Sequence, residues 1–243
     1  MVIYDILNYH VVVGWCHPMI AHYALYWKIQ GYFIGGNDMN NQVVAAGKVN
    51  PARKIVITAM MAALGAILML LDFSIPFVIP YFVKFDFSEV PALIAAFALG
   101  PIPGVMVCLI KNAINLFVFG TTTGGVGEMS NFLLGASFIL PAGYVYSKMK
   151  TRKGAIIGSL IGAVIMGLLS IPINYYITYP IYTNFMPIDD IMRLYQEIVP
   201  SVDGLLHALV VFNMPFTMFK GIGSAVVTFL CYKRLAPIIR GEN

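Results

Sequence analysis

Apolar residues run through this chain in long blocks separated by short polar breaks. From residue 51 onward the blocks cover 55–71, 90–99, 104–119, 129–146, 155–177 and 209–232. A helix that crosses a bilayer needs ~20 apolar residues, fewer if it is short or re-entrant. The block at 90–99 is too short to span as a straight helix and ends at the Gly100-Pro101 turn. The pattern therefore predicts an all-α membrane protein with six transmembrane helices, the second one short. Two long breaks remain, 72–89 and 178–208. Pro76 and Pro80 interrupt the first, and Pro180, Pro187 and Pro200 the second, so both are predicted as shaped lids rather than linkers.

Charge orders the helices. With the segment before the first helix in the cytoplasm, Lys48, Arg53, Lys54, Lys148, Lys150, Arg152, Lys153, Lys233, Arg234 and Arg240 all fall inside. Only Lys84 and Arg193 fall in outer loops, where Asp72, Asp86, Glu89, Glu128, Asp189, Asp190, Glu197 and Asp203 also lie. This lysine and arginine bias predicts a plasma-membrane protein with both termini cytoplasmic. Removing the short second helix would put the basic 148–153 turn on the side opposite Arg53. Composition agrees with a lipid solvent: 59% of residues are hydrophobic and 11% charged, and mean hydropathy is +0.81. The net charge of +4 is then a matter of topology, and no nucleic-acid partner is expected.

Residues 1–50 differ from the rest, with both tryptophans, three histidines and a Gly/Asn-rich stretch at 35–41. They form an N-terminal extension to the membrane domain at 51–243. They lack the basic start, apolar stretch and cleavage site of a signal peptide. Residues 39–50 read like a short polar tail, which makes Met39 a candidate start and 1–38 upstream or disordered sequence. The alternative is an interfacial segment using Trp15, Trp27 and Tyr32.

Candidate chemistry sits on the helices. Lys111 and Lys220 fall near the middle of the third and sixth blocks. A lysine at that depth costs ~2.5 to 3.5 kcal/mol even on mild scales, so each is expected to face the bundle interior or water. Asn112 and Asn115 share a broad face with Lys111. Asn213, Thr217, Lys220 and Ser224 form one polar stripe. Asn131 and Asn174 can each offer a donor and an acceptor to a flat heterocycle, with Phe85 and other aromatics nearby. Bland alternatives are interhelical hydrogen bonds for the amides and hydroxyls, and carbonyl bonding for the lysines. Ala59/Ala63 and Ala62/Ala66 are small residues four apart that let a helix approach closely. Cys16, Cys108 and Cys231 form no CxxC or Cys/His cluster, so no metal site is indicated. The Gly124-Gly125-Val126-Gly127 turn lacks the P-loop pattern, and no ATP-binding or hydrolase motif occurs.

Taken in order, these segments resemble the riboflavin-specific S components of energy-coupling-factor (ECF) vitamin transporters. The stretches that carry the resemblance are Lys84-Phe85-Asp86-Phe87-Ser88-Glu89-Val90-Pro91-Ala92-Leu93, Gly100-Pro101, Lys111-Asn112-Ala113-Ile114-Asn115, Asn131-Phe132-Leu133-Leu134-Gly135-Ala136-Ser137, Asn174-Tyr175 and Met214-Pro215-Phe216-Thr217-Met218-Phe219-Lys220-Gly221. They span about 51–238. The resemblance implies a six-helix fold with a vitamin site open to the outside, riboflavin bound as substrate rather than cofactor, and a membrane scaffold subunit with two ATPases as partners. It places Asn174, Lys220 and Thr217 at the polar edge of the ring, with Asn131, Lys111, Asn115, Phe85 and Asp86 around it. Many members carry Asn where this chain has Thr217. Ala59 and Ala63 would dock on the scaffold subunit.

Other classes are less well supported. A membrane enzyme using Lys111 or Lys220 as base needs a second titrating group at similar depth, and the predicted spans hold no Asp or Glu. A self-sufficient ion-coupled carrier usually shows repeated halves and intramembrane carboxylates. An S component for another vitamin stays open. The topology has a direct check. Cysteines introduced as Asp189→Cys or Asp203→Cys should label from outside intact cells, and Arg152→Cys should not. External labelling at 152 would overturn the six-helix arrangement.

Overall fold

The computed structural model describes residues 50–75, 79–80, 82–121 and 123–240, without the side chains of 233–240. The expectations for Met39, Trp15, Trp27 and Tyr32 lie outside the described residues. Apart from one antiparallel bridge between Phe73 and Phe85, the regular structure among the described residues is helical.

Helix α1 (Pro51–Leu70) opens where the Asn50 side chain accepts the Ala52 N–H at 3.1 Å, with Pro51 at a position that needs no N–H. Before α2 (Glu89–Leu99), Asp86 accepts the Ser88 N–H at 2.8 Å in an Asx turn. Gly100 then reverses the chain at φ 108°, a backbone region open to glycine, and Pro101 starts α3 (Pro101–Ile114). A π-turn, Asn115–Phe119, extends α3. Next come α4 (Val126–Lys148) and α5 (Arg152–Ile173), the latter capped by Thr151, which accepts the Gly154 N–H at 3.1 Å. A second π-turn, Asn174–Thr178, leads into α6 (Tyr179–Tyr182). After α7 (Ile188–Ile198) and α8 (Leu205–Ala208), a third π-turn, Leu209–Asn213, runs into α9 (Met214–Arg240). Prolines explain two of these wide turns. Pro180 and Pro215 cannot donate to the carbonyls four residues back, Tyr176 and Val211, and both carbonyls lie inside π-turns.

The fold is all-α and multi-spanning. Pro51–Leu70, Pro101–Phe119, Arg152–Tyr182 and Leu205–Tyr232 are long and apolar enough to cross a membrane. Helix α4 has 23 residues but carries more polar groups. Helix α2, with 11 residues, is about 16 Å long, too short to cross alone. Large apolar side chains such as Ile55, Met60, Leu160, Leu168, Val226 and Leu230 point outward, as expected where lipid is the solvent. The long break at 178–208 is largely helical. In α7, Ile191 and Tyr195 are buried while Asp189, Asp190 and Glu197 face out.

Small residues set the helix spacing inside. Ala92, Ala95 and Ala96 of α2 and Ala142 of α4 are buried in the same cluster. On α5, a Cβ at Gly162 would meet the Phe138 carbonyl oxygen of α4 at 2.5 Å, so the two backbones touch there. Gly162→Val should therefore destabilise the fold by about 1–3 kcal/mol or more, lowering the melting temperature in detergent, while Leu160→Ala on the exposed side should change it far less. An unchanged melting temperature in Gly162→Val would mean that α4 and α5 pack less closely than this.

Candidate ligand-binding cavity

The C-terminal end of α1, the π-turns after α3, after α5 and before α9, and the first turns of α4 converge at one end of the bundle. They enclose a cavity of about 750 Å³ together with parts of the 72–89 segment. The basic turn between α4 and α5 lies at the other end.

The charged wall is built first. The Lys220 ammonium lies 2.7 Å from Asp86 Oδ2 and 3.4 Å from Asn131 Oδ1. Asn131 Nδ2 in turn donates to Asn112 Oδ1 at 3.3 Å. Burial pushes the Asp86 carboxyl up, but the Lys220 and Lys111 charges and hydrogen bonds from Lys220 and Ser88 outweigh it and hold the acid at about 2. Asp86 is therefore a carboxylate at neutral pH. Beside this wall, Asn174 Nδ2 donates to the Ser170 carbonyl at 2.8 Å, leaving its oxygen and one N–H for the cavity. The Thr217 hydroxyl has no partner among the described residues. Above it, Tyr195 of α7 donates to Asn213 Oδ1 at 2.7 Å. Its single proton is thus used, so Tyr179 is the donor in the 2.5 Å contact between the two phenols. Burial pushes the Tyr195 phenol well above its ordinary range, which keeps that proton in place.

Of the residues singled out in the sequence, Asn174, Thr217, Lys220, Asn131, Asn115 and Asp86 all line the cavity. Lys111 and Phe85 do not. Lys111 is fully buried against α2, its ammonium 2.6 Å from Glu89 Oε1 and 2.5 Å from the Ser88 hydroxyl. Phe85 packs among Phe87, Phe216 and Phe219 with ring centroids 5.2 to 6.0 Å apart. Ala59 and Ala63 are exposed on the outer face of α1, whereas Ala62 and Ala66 are buried inside, so the two overlapping small-residue pairs face opposite ways.

One expectation is corrected. The apolar blocks contain no carboxylate and leave Glu89 and Glu128 in outer loops. Glu89 instead opens α2 and is fully buried, and Gly135 of α4 leaves it room, since a Cβ there would sit 2.8 Å from Glu89 Oε1. Glu128 lies in the first turn of α4, which starts at Val126 rather than 129, and it lines the cavity with Thr121, Thr123, Ser130 and Thr178. Hydropathy trimmed these residues away because it scores a helix end by polarity. For Glu128 the i, i+3 spacing to Asn131 was the available signal.

Comparison with known proteins agrees with this geometry. The family model for the ECF transporter, substrate-specific component, matches residues 53–232. The chain belongs to this family of S components. It is 35% identical over 192 residues to the riboflavin transporter FmnP of Bacillus subtilis strain 168, covering 79% of this chain and 96% of that protein. It is 34% identical over 189 residues to the riboflavin transporter RibU of Staphylococcus aureus strain TCH60, covering 77% and 93%. A solved structure described as the S component of a bacterial ECF transporter superposes with a TM-score of 0.61 at 29% identity, covering 78% of this chain and 99% of that one. This S component is accordingly a transport protein and not an enzyme.

The Lys111–Glu89 pair lies outside the cavity, so its role in this S component is to hold α2 against α3. Lys111→Met leaves a buried carboxylate unpaired and should cost about 3–5 kcal/mol. Lys111→Met combined with Glu89→Gln should recover most of it. Thermal unfolding in detergent reads both, and equal loss in the single and double variants would refute the pairing.

Proposed function

We propose that this S component is the high-affinity riboflavin-binding subunit of an ECF-type transporter, taking up riboflavin with a separate membrane scaffold subunit and two ATPases. The observation that carries the reading is the set of unused polar groups in the cavity. An ammonium has three donors; Asp86 and Asn131 take two from Lys220, leaving one for a ring carbonyl. Asn174 keeps a donor and an acceptor, a match for the alternating C=O and N–H of a flavin's pyrimidine edge. Thr217 adds a hydroxyl. Met69, Leu134, Met166 and Phe216 supply apolar surface for the rest of the ring. The cavity volume of about 750 Å³ falls in the ~300–1,000 Å³ range of small-molecule sites. The names of the two relatives point the same way.

In this reading α1, α2, α3, α4, α5 with α6, and α8 with α9 are the six membrane helices. The cavity faces outward, both termini are cytoplasmic, and residues 1–50 are an extension to the 51–243 membrane domain. The exposed Ala59 and Ala63 are the contact for the scaffold subunit. Calorimetric titration of the purified chain with riboflavin is the test. Lys220→Met is made together with Asp86→Asn, so that no orphan carboxylate remains. Loss of the charged donor should cost about 1.5–3 kcal/mol, roughly tenfold to over a hundredfold in affinity. Asn174→Leu should also weaken binding, and Lys153→Met should not. Near-normal affinity in the Lys220 variant would remove that lysine from the site. Binding of a different vitamin in place of riboflavin would make the chain another kind of S component.

A further inference from the structure

The charges that line the cavity are unequally matched. Lys84 lies 2.9 Å from Asp72, and Lys220 lies 2.7 Å from Asp86. Glu128 has no cationic partner among the described residues. It is only 9% exposed, and the one side-chain donor it receives among the described residues is the Thr121 hydroxyl, 3.0 Å from Oε2. Its second oxygen is left to the cavity it lines. It lies three positions before Asn131, so the two side chains are neighbours on one face of α4, ~5–6 Å apart at Cβ. Asn131 accepts from Lys220. A flat ring held by Lys220 therefore has the Glu128 carboxylate within one helical turn of its polar edge.

The glycine turn in front of α4 does not offset that charge. Backbone N–H groups in such a turn can cradle a phosphate, but here those of Thr123, Gly125, Val126 and Gly127 are engaged within the turn itself. Gly125 N–H donates to the Thr121 hydroxyl at 3.3 Å, Thr123 N–H to the same oxygen at 3.1 Å, and Gly127 N–H to the Thr123 hydroxyl at 3.2 Å. What this end of the cavity offers is an acceptor-only carboxylate in a collar of hydroxyls.

We propose that Glu128 selects the tail of the ligand, accepting hydrogen bonds from the hydroxyls of a neutral polyol chain and repelling a phosphate ester. The site then takes the unphosphorylated flavin. This rests on the riboflavin reading and narrows it. A phosphomonoester carries a charge of about −1.5 to −2 at neutral pH, and setting it near an unpaired carboxylate in a partly desolvated cavity is unfavourable.

The test titrates the full chain in detergent with riboflavin and with riboflavin 5′-phosphate. The unsubstituted protein should bind the phosphate ester at least about tenfold more weakly. Glu128→Gln should weaken riboflavin by about fivefold, as a charged acceptor becomes a neutral one, and strengthen the phosphate ester, so the ratio collapses. Glu128→Asp should keep the preference. Thr123→Lys, which sets a cation beside an intact Glu128, should shift it toward the ester and gives a second route if the glutamine variant does not fold. Equal affinity of the unsubstituted protein for both ligands would overturn the role of Glu128. So would an unchanged ratio in a Glu128→Gln or Thr123→Lys protein that still binds riboflavin. Absence of riboflavin binding to the unsubstituted protein would instead overturn the riboflavin reading itself.

Discussion

Two lysine ammonium groups buried in a lipid-facing bundle constrain everything built around them. Lys111 is sealed from water and Lys220 opens only to the cavity, and a lone cation at either place is too costly to keep. Both counter-charges come from one short stretch of chain, Asp86 for Lys220 and Glu89 for Lys111. Ser88, between them, donates its N–H to Asp86, and its hydroxyl oxygen accepts from Lys111. The segment leading into α2 is therefore fixed against α3 on one side and α9 on the other. Buried ion pairs add little net stability against apolar packing. Their effect here is positional: no shift of α2 along its neighbours satisfies both lysines.

The two pairs have diverged in use. Lys111 is closed off by Glu89, Ser88 and the α2–α3 packing, and it is structural. Lys220 sits at the cavity wall with a donor to spare, because Asp86 and Asn131 take two of its three. The same residue type at similar depth thus has different surroundings, according to how many of its donors the protein uses itself. The π-turns extend this logic. Asn115, Asn174 and Asn213 each begin or end one, and the widened helix turns their amides toward the cavity end while the helix continues.

Closure over the cavity comes from a different interaction. Helix α7 is amphipathic and sits on the bundle through Ile191 and Tyr195. The chain of donors from Tyr179 through Tyr195 to Asn213 ties α6, α7 and the π-turn before α9 together. The 178–208 break, which its prolines mark in the sequence as a shaped lid, is held by this short buried hydrogen-bond chain.

The amino-acid sequence by itself determined the solvent, the helices and several of the residues that line the cavity. Apolar run length is a local quantity, so the helix blocks were legible to within a few residues at most of their ends. The short α2 was legible from its length and from Gly100-Pro101. Asn131, Asn174, Thr217 and Lys220 stood out because a polar group in an apolar run is costly wherever the run ends up. Only the tertiary structure decided which lysine faces the cavity. Lys111 and Lys220 are alike in local sequence, and the distinction depends on Glu89 and Asp86 folding in from outside the apolar blocks. Glu128 was hidden for the same reason, at a helix end where hydropathy cannot tell a solvated carboxylate from one turned inward. Pairing of charges is a long-range property, set by where helices cross, and no window along the chain contains both partners.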